Sequence, residues 1–205
     1  MIETTEPTVE VNVEKRTILY TGDITDKGAH EFSKALSDIN AADDKKEKEV
    51  RDFFDNNHRG TKERIVPKFG PREPIKFYIE SCGGSVWATN KIITEIKLSK
   101  ADVHAYTFGK ALSGGFYIYV TCKERFATQG TIFLYHDIAS MSAGRLEDRK
   151  VSVQIDEETQ KVLDNYVVKN THIIQGKLDE MKTTVRDWWI LGDEAKSFGI
   201  VDTLL

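Results

Sequence analysis

The stretch Gly109-Lys110-Ala111-Leu112-Ser113-Gly114-Gly115-Phe116 joins an apolar, β-like run to a run that reads as a buried helix. A serine at such a junction stands where a nucleophile is displayed. Its hydroxyl attacks poorly until a base takes the proton and donors hold the oxyanion, so the surroundings decide the reading. Three other features supply candidates. A Gly83-Gly84 pair closes the strand Ile75-Lys76-Phe77-Tyr78-Ile79, His136 ends the strand Thr131-Ile132-Phe133-Leu134-Tyr135, and Asp187 lies downstream in Val185-Arg186-Asp187-Trp188-Trp189. The order along the chain is serine, histidine, aspartate.

Working outward, strands and helices alternate. Residues 16–20 read as a strand ended by Thr21-Gly22-Asp23, and a helix follows with Phe32, Leu36 and Ile39 on one face. Residues 41–73 form a mixed-charge run with Pro67 and Pro71, read as a helix extension and a loop. After the strand at 75–79, Ala88, Ile92 and Ile96 share a helical face. A strand at 103–108, the helix opened by Ser113, and short strands at 125–127 and 131–135 come next, a pattern that favours a layered α/β core. Residues 145–172 predict one long, half-exposed helix of the kind that meets another subunit. The C-terminal end predicts a short helix capped at Gly199, then a strand. The organisation expected is a flexible segment at 1–15 and a single domain at 16–205.

Composition sets limits on function. The 205 residues are 40% hydrophobic and 10% aromatic, enough for one substantial core. With 29 basic against 33 acidic residues, the net charge of −4 offers no footprint for nucleic acid. Two cysteines, Cys82 and Cys122, suit a reducing compartment. The N-terminus lacks the basic start and apolar run of a secretory signal, and no apolar stretch is long enough to span a membrane. A cytoplasmic protein without membrane partners is expected.

Each candidate also has a plain structural reading. Ser113 fits a helix N-cap, although the glycines after it and the aligned N–H groups of a helix start also suit an anion. Gly83 and Gly84 fit a tight turn, yet the amides of Gly84 and Gly114 together would make a two-donor oxyanion hole, each donor worth about 3 kcal/mol of barrier. His30, His58, His104 and His172 read as surface or structural. His136 differs, because a rigid strand end holds it at a cleft. Asp187 fits a pairing with Arg186, or a carboxylate partly buried against the tryptophans that orients a base.

With these elements in this order, the chain resembles the Clp protease proteolytic subunit family from about residue 18 to its C-terminal end, with one interruption. The family's Ser-Pro-Gly-Gly is similar to Ser81-Cys82-Gly83-Gly84, its Gly-x-Ala-Ala-Ser-Met-Gly to residues 109–115, and its histidine-ended strand to residues 132–136. The family's Arg-Asp is similar to Arg186-Asp187, and its C-terminal motif to residues 191–202. The resemblance implies an α/β ClpP/crotonase-like spiral of repeated β-β-α units with a protruding handle helix. It implies Ser113 as nucleophile, His136 as general base and then acid, Asp187 as orienter of the imidazole, and Gly84 and Gly114 as oxyanion donors. Polypeptide would be the substrate, with no metal or organic cofactor. The partners implied are copies of the chain in heptameric rings that stack into a chamber, and an AAA+ unfoldase that feeds it.

Departures from the family pattern are local. Cys82 replaces a proline, Asp137-Ile138 replaces Gln-Pro, the glycine-rich strand after it becomes Ala139-Ser140-Met141-Ser142-Ala143-Gly144, and Val185 replaces an acid. The charged segment at 41–73 is far longer than the family's link, which fits a divergent branch such as a phage-encoded one. Two other functions fit the same fold: a catalytically weak scaffold or regulatory subunit, and a crotonase-type acyl-CoA enzyme, which needs paired amides but no Ser-His-Asp set.

Overall fold

The computed structural model describes residues 5–57 and 66–205. His58 and the centre of the charged segment, residues 58–65, lie outside the described residues, as do residues 1–4 of the segment at 1–15.

Among the described residues, nine strands and six helices follow in the order β1 (Thr8–Asn12), β2 (Thr17–Thr21), α1 (Asp26–Asn57), β3 (Ile75–Glu80), α2 (Val86–Leu98), β4 (Val103–Thr107), β5 (Lys110–Leu112), α3 (Gly114–Thr121), β6 (Glu124–Ala127), β7 (Ile132–Tyr135), α4 (Leu146–Asn170), α5 (Gln175–Thr184), β8 (Trp188–Leu191), α6 (Gly192–Ser197) and β9 (Thr203–Leu204). The main sheet has the order β1-β2-β3-β4-β6-β9, and a smaller sheet has the order β5-β7-β8. In the main sheet only β1 runs antiparallel to its neighbour.

Alternation along the strands makes the core. Ile18, Tyr20, Ile75, Phe77, Ile79, Val103 and Ala105 point inward and are buried beneath α1, α2 and α3. The opposite face carries a stack of Tyr78, Tyr106 and Phe126, with ring centroids 4.9 and 4.6 Å apart. Helix α3 has no polar side, because the sequence Gly-Gly-Phe-Tyr-Ile-Tyr-Val leaves none; all seven of those residues are buried.

Two strands go beyond the sequence reading. Thr8–Asn12 pairs with β2 through Val9↔Tyr20, although only Val9 is even half-buried; a polar edge strand carries little hydrophobic signal. Lys110–Leu112 is too short to show a period, and its pairing with β7 and the bridge Ser81↔Ala111 make it a strand.

The first half of α1 is held by burial of Ala29, Phe32, Leu36 and Ile39, and the second half by ions. Arg72, on the returning chain, reaches Asp44 at 2.5 Å and Glu47 at 2.8 Å, and Arg16 reaches Asp43 at 2.6 Å. The Lys100 and Arg72 hydrogen bonds hold the Asp44 carboxyl below the usual aspartate range. At the other end of the sheet, buried Arg125 of β6 grips Asp202 with Nε at 2.8 Å and Nη2 at 2.9 Å, tying the C-terminal turn to the core.

Candidate active site

Strand β5 ends at Leu112, and the chain turns so sharply into α3 that Ser113 has φ +52° and ψ −119°. A serine rarely adopts a positive φ, and holding one there costs about 1–3 kcal/mol. The surrounding hydrogen bonds impose the turn: Ser113 N–H donates to the Leu134 carbonyl at 2.9 Å, and Tyr117 N–H donates to the Ser113 carbonyl at 3.2 Å. The Ser113 side chain makes no capping bond to the helix, so the N-cap explanation does not account for it.

The glycine pair packs directly against this turn. A Cβ on Gly83, where φ is +98°, would stand 2.6 Å from Ser113 Cβ and 3.0 Å from Gly114 N. A Cβ on Gly84, where φ is +147°, would stand 2.3 Å from the Ile24 carbonyl oxygen. Only glycine allows these approaches. The loop is pinned by Ile24 N–H to the Gly83 carbonyl at 2.7 Å and Ser85 N–H to the Ile24 carbonyl at 2.8 Å, which leave the Gly84 amide outside the pairing. Gly114 lies beside it: a Cβ there would be 3.6 Å from Gly84 N.

Ser113, Gly84, Gly114 and His136 line one cavity of about 170 Å³, together with Thr89 and Tyr117. His136 follows β7. Its Nδ1 is 2.5 Å from the Asp137 carbonyl oxygen, which can only accept, so Nδ1 carries the hydrogen and Nε2 keeps the lone pair a base needs. Asp187 is exposed and does not line the cavity, and among the described residues no hydrogen bond joins it to His136. The antiparallel ladder of β7 and β8 ends at the Tyr135–Trp188 pair, and His136 and Asp187 each lie one residue beyond it. Trp188 is buried against Tyr135 and Phe198, whereas Trp189 is half exposed.

Sequence reasoning passed over Glu80. Its Oε1 accepts the N–H groups of Phe108 at 2.7 Å and Gly109 at 3.0 Å, and its Oε2 accepts Lys110 N–H at 2.8 Å. One carboxylate thereby fixes the turn that leads into β5 and Ser113. The only sequence signal is an acid at a strand end, which is too common to single out. Cys82, in place of the family's proline, lies beside Lys110, and the thiol's proximity raises the lysine's pKa. Cys122 is buried, and burial pushes its thiol up to about 12. His104 lies 3.7 Å from Glu124 on the sheet, and the backbone N–H of His172 donates to the Phe198 carbonyl at 2.8 Å; neither residue lines the Ser113 cavity. Among the described residues no three His, Cys, Asp or Glu side chains converge as a metal site would.

The family model for the Clp protease matches residues 66–205. The chain belongs to the Clp protease family. Among its relatives in that family, the ATP-dependent Clp protease proteolytic subunit 3 of Rhizobium johnstonii is 31% identical over 135 residues, 65% of this chain and 69% of that protein. The ATP-dependent Clp protease proteolytic subunit 2 of Corynebacterium diphtheriae is 28% identical over 137 residues, 66% of this chain and 68% of that protein. A ClpP1 point mutant from Listeria monocytogenes superimposes with a TM-score of 0.72 at 22% identity, covering 94% of this chain and 92% of its own. That likeness establishes the Clp protease fold, the ClpP/crotonase-like spiral, for nearly the whole chain. The family match begins at residue 66, so α1 and its charged extension precede it.

Proposed function

We propose that this Clp-family chain is a serine endopeptidase that hydrolyses unfolded polypeptides or peptides through Ser113, His136 and Asp187. The observation that carries the reading is the strained Ser113 turn, with the Gly114 amide beside it and the Gly84 amide alongside, in one cavity with His136.

The chemistry follows from that arrangement. Nε2 of His136 takes the Ser113 proton as Oγ attacks the scissile carbonyl, and the Gly84 and Gly114 amides hold the oxyanion. The imidazolium then protonates the leaving amine, and a water activated by the same nitrogen releases the acyl group. In this reading Asp187 replaces the Asp137 carbonyl as the acceptor of the Nδ1 hydrogen bond, and its charge stabilises the imidazolium more than a neutral carbonyl does.

The chamber and its feeding belong to the same proposal. Helix α4 exposes Leu146, Val151, Val153, Ile155 and Val162, a surface suited to other copies of the chain in stacked rings. An AAA+ unfoldase is the expected partner, since the named relatives are subunits of ATP-dependent proteases. Two free cysteines fit the cytoplasm, and no helix among the described residues is long and apolar enough to cross a membrane.

A second reading, the catalytically weak scaffold, is favoured by one observation: Nδ1 of His136 is held by Asp137 and not by Asp187. A fluorophosphonate and intact-mass measurement separates the two, with Ser113→Ala, His136→Ala and the assembly state checked in parallel. A single adduct that both variants lose supports the peptidase. No adduct on a well-formed oligomer supports the scaffold.

A further inference from the structure

The backbone around His136 is held by side chains from three other elements. Tyr117 of α3 donates its hydroxyl to the His136 carbonyl at 3.0 Å. Gln160 of α4 donates Nε2 to that hydroxyl at 3.1 Å and accepts the Ile138 N–H at 2.8 Å, so one amide grips both sides of the histidine. One helical turn on, buried Asp164 accepts from the Tyr135 hydroxyl at 2.9 Å, from Gln160 Nε2 at 2.8 Å and from Lys182 Nζ of α5 at 2.5 Å. Lys182 also lies 3.3 Å from the carboxylate of Asp137, whose carbonyl receives the His136 Nδ1 hydrogen. Every residue from 135 to 138 is therefore bonded, directly or through one intermediary, to the Asp164–Lys182 pair.

A fold alone does not call for this arrangement. Ionic groups out of water cost more than well-packed apolar ones of similar volume, and Asp164 is only 2% exposed on a helix whose Leu163 and Val167 are buried as well. The polar chain does what an apolar contact cannot: it fixes directions. It sets the His136 carbonyl, the Ile138 amide and the Asp137 side chain, and through them the plane of the imidazole.

We infer that Asp164 and Lys182 are positioning residues for His136, acting through Gln160, Tyr117 and Asp137. The inference rests on the Ser113–His136 reading above and deepens it. Neither side chain lines the Ser113–His136 cavity, so removing one is expected to misplace the base while leaving that cavity in place.

The test uses the full-length oligomer and a short fluorogenic peptide, with kcat and KM measured separately alongside the rate of fluorophosphonate labelling. Lys182→Met and Gln160→Met are expected to lower kcat and the labelling rate by roughly tenfold or more, with KM held within about twofold. Lys182→Arg, which keeps the charge and the hydrogen bonds, is expected to recover most of the loss. Gln160→Met leaves the ion pair intact, so it decides the matter should Lys182→Met not fold. Unchanged kcat in folded Gln160→Met and Lys182→Met would overturn the inference while leaving the serine mechanism standing. So would equal losses in Lys182→Met and Lys182→Arg that track melting temperature. Failure of the wild-type protein to label at Ser113 would instead remove the reading beneath it.

Discussion

Replacing Gly83 by alanine tests the geometry of the proposed nucleophile without touching a chemical group. The added Cβ would lie 2.6 Å from Ser113 Cβ and 2.9 Å from the Leu112 carbonyl oxygen, where ordinary contact begins at 3.4 Å. Neither neighbour is the end of a flexible side chain, so the Ser113 turn has to retreat by close to 1 Å, a displacement that costs about 100-fold in rate. That equals about 2.7 kcal/mol of barrier. The backbone adds a second penalty, because alanine at a φ of +98° is strained by about 1–3 kcal/mol. Stability should fall accordingly, by about 2–4 °C in Tm for each kcal/mol in a chain of this length. The assay is peptidase kcat/KM and fluorophosphonate labelling at a temperature where Gly83→Ala is fully folded. Gly176→Ala is the control, since a Cβ there meets nothing within 4 Å. A folded Gly83→Ala protein with kcat/KM within about threefold of wild type would refute the claim that this contact sets the position of Ser113.

Two further outcomes follow from the structure. Asp187→Asn should lower kcat by roughly 10²–10⁴-fold with little change in melting temperature, because an exposed carboxylate contributes to the imidazolium and not to the core. An unchanged kcat would assign the orienting role to the Asp137 carbonyl alone. Arg72→Met should reduce stability in urea only modestly, because Asp44 is exposed and screened. Asp44 titrates below its ordinary value in the folded protein, so its share of this stability is present above that value and is lost as pH falls through the folded pKa. The gap between Arg72→Met and wild type should narrow in that acid range, and a gap that stays constant there would argue against the pairing.

Legibility in the sequence followed the range of the interaction. The strand at 75–79, the helical face of Ala88, Ile92 and Ile96, and the apolar run after Ser113 were readable because each is a local period or an unbroken apolar stretch. Ser113, Gly84, Gly114 and His136 were readable because each stands at a boundary between such elements, and the fold brings them to one cavity. Strands β1 and β5 were not readable: one buries almost nothing, and the other consists of three residues that become a strand only by pairing. Glu80 escaped notice because its role lies in the amides of Phe108, Gly109 and Lys110, and no side-chain pattern records where backbone N–H groups point.

By itself the sequence determined the family, the alternation of strands and helices, and the candidates proposed for nucleophile, base and oxyanion donors, since residue type and local period carry that information. The tertiary structure alone decided their relations. The β7–β8 ladder ends with His136 and Asp187 one residue beyond its last pair, the crowding of Gly83 against Ser113 shapes the turn of the proposed nucleophile, and Tyr117, Gln160, Asp164 and Lys182 hold the segment that bears the imidazole. The physical reason is that hydrogen bonds and ion pairs act over about 3 Å, and only a folded chain brings partners so distant in sequence within that reach.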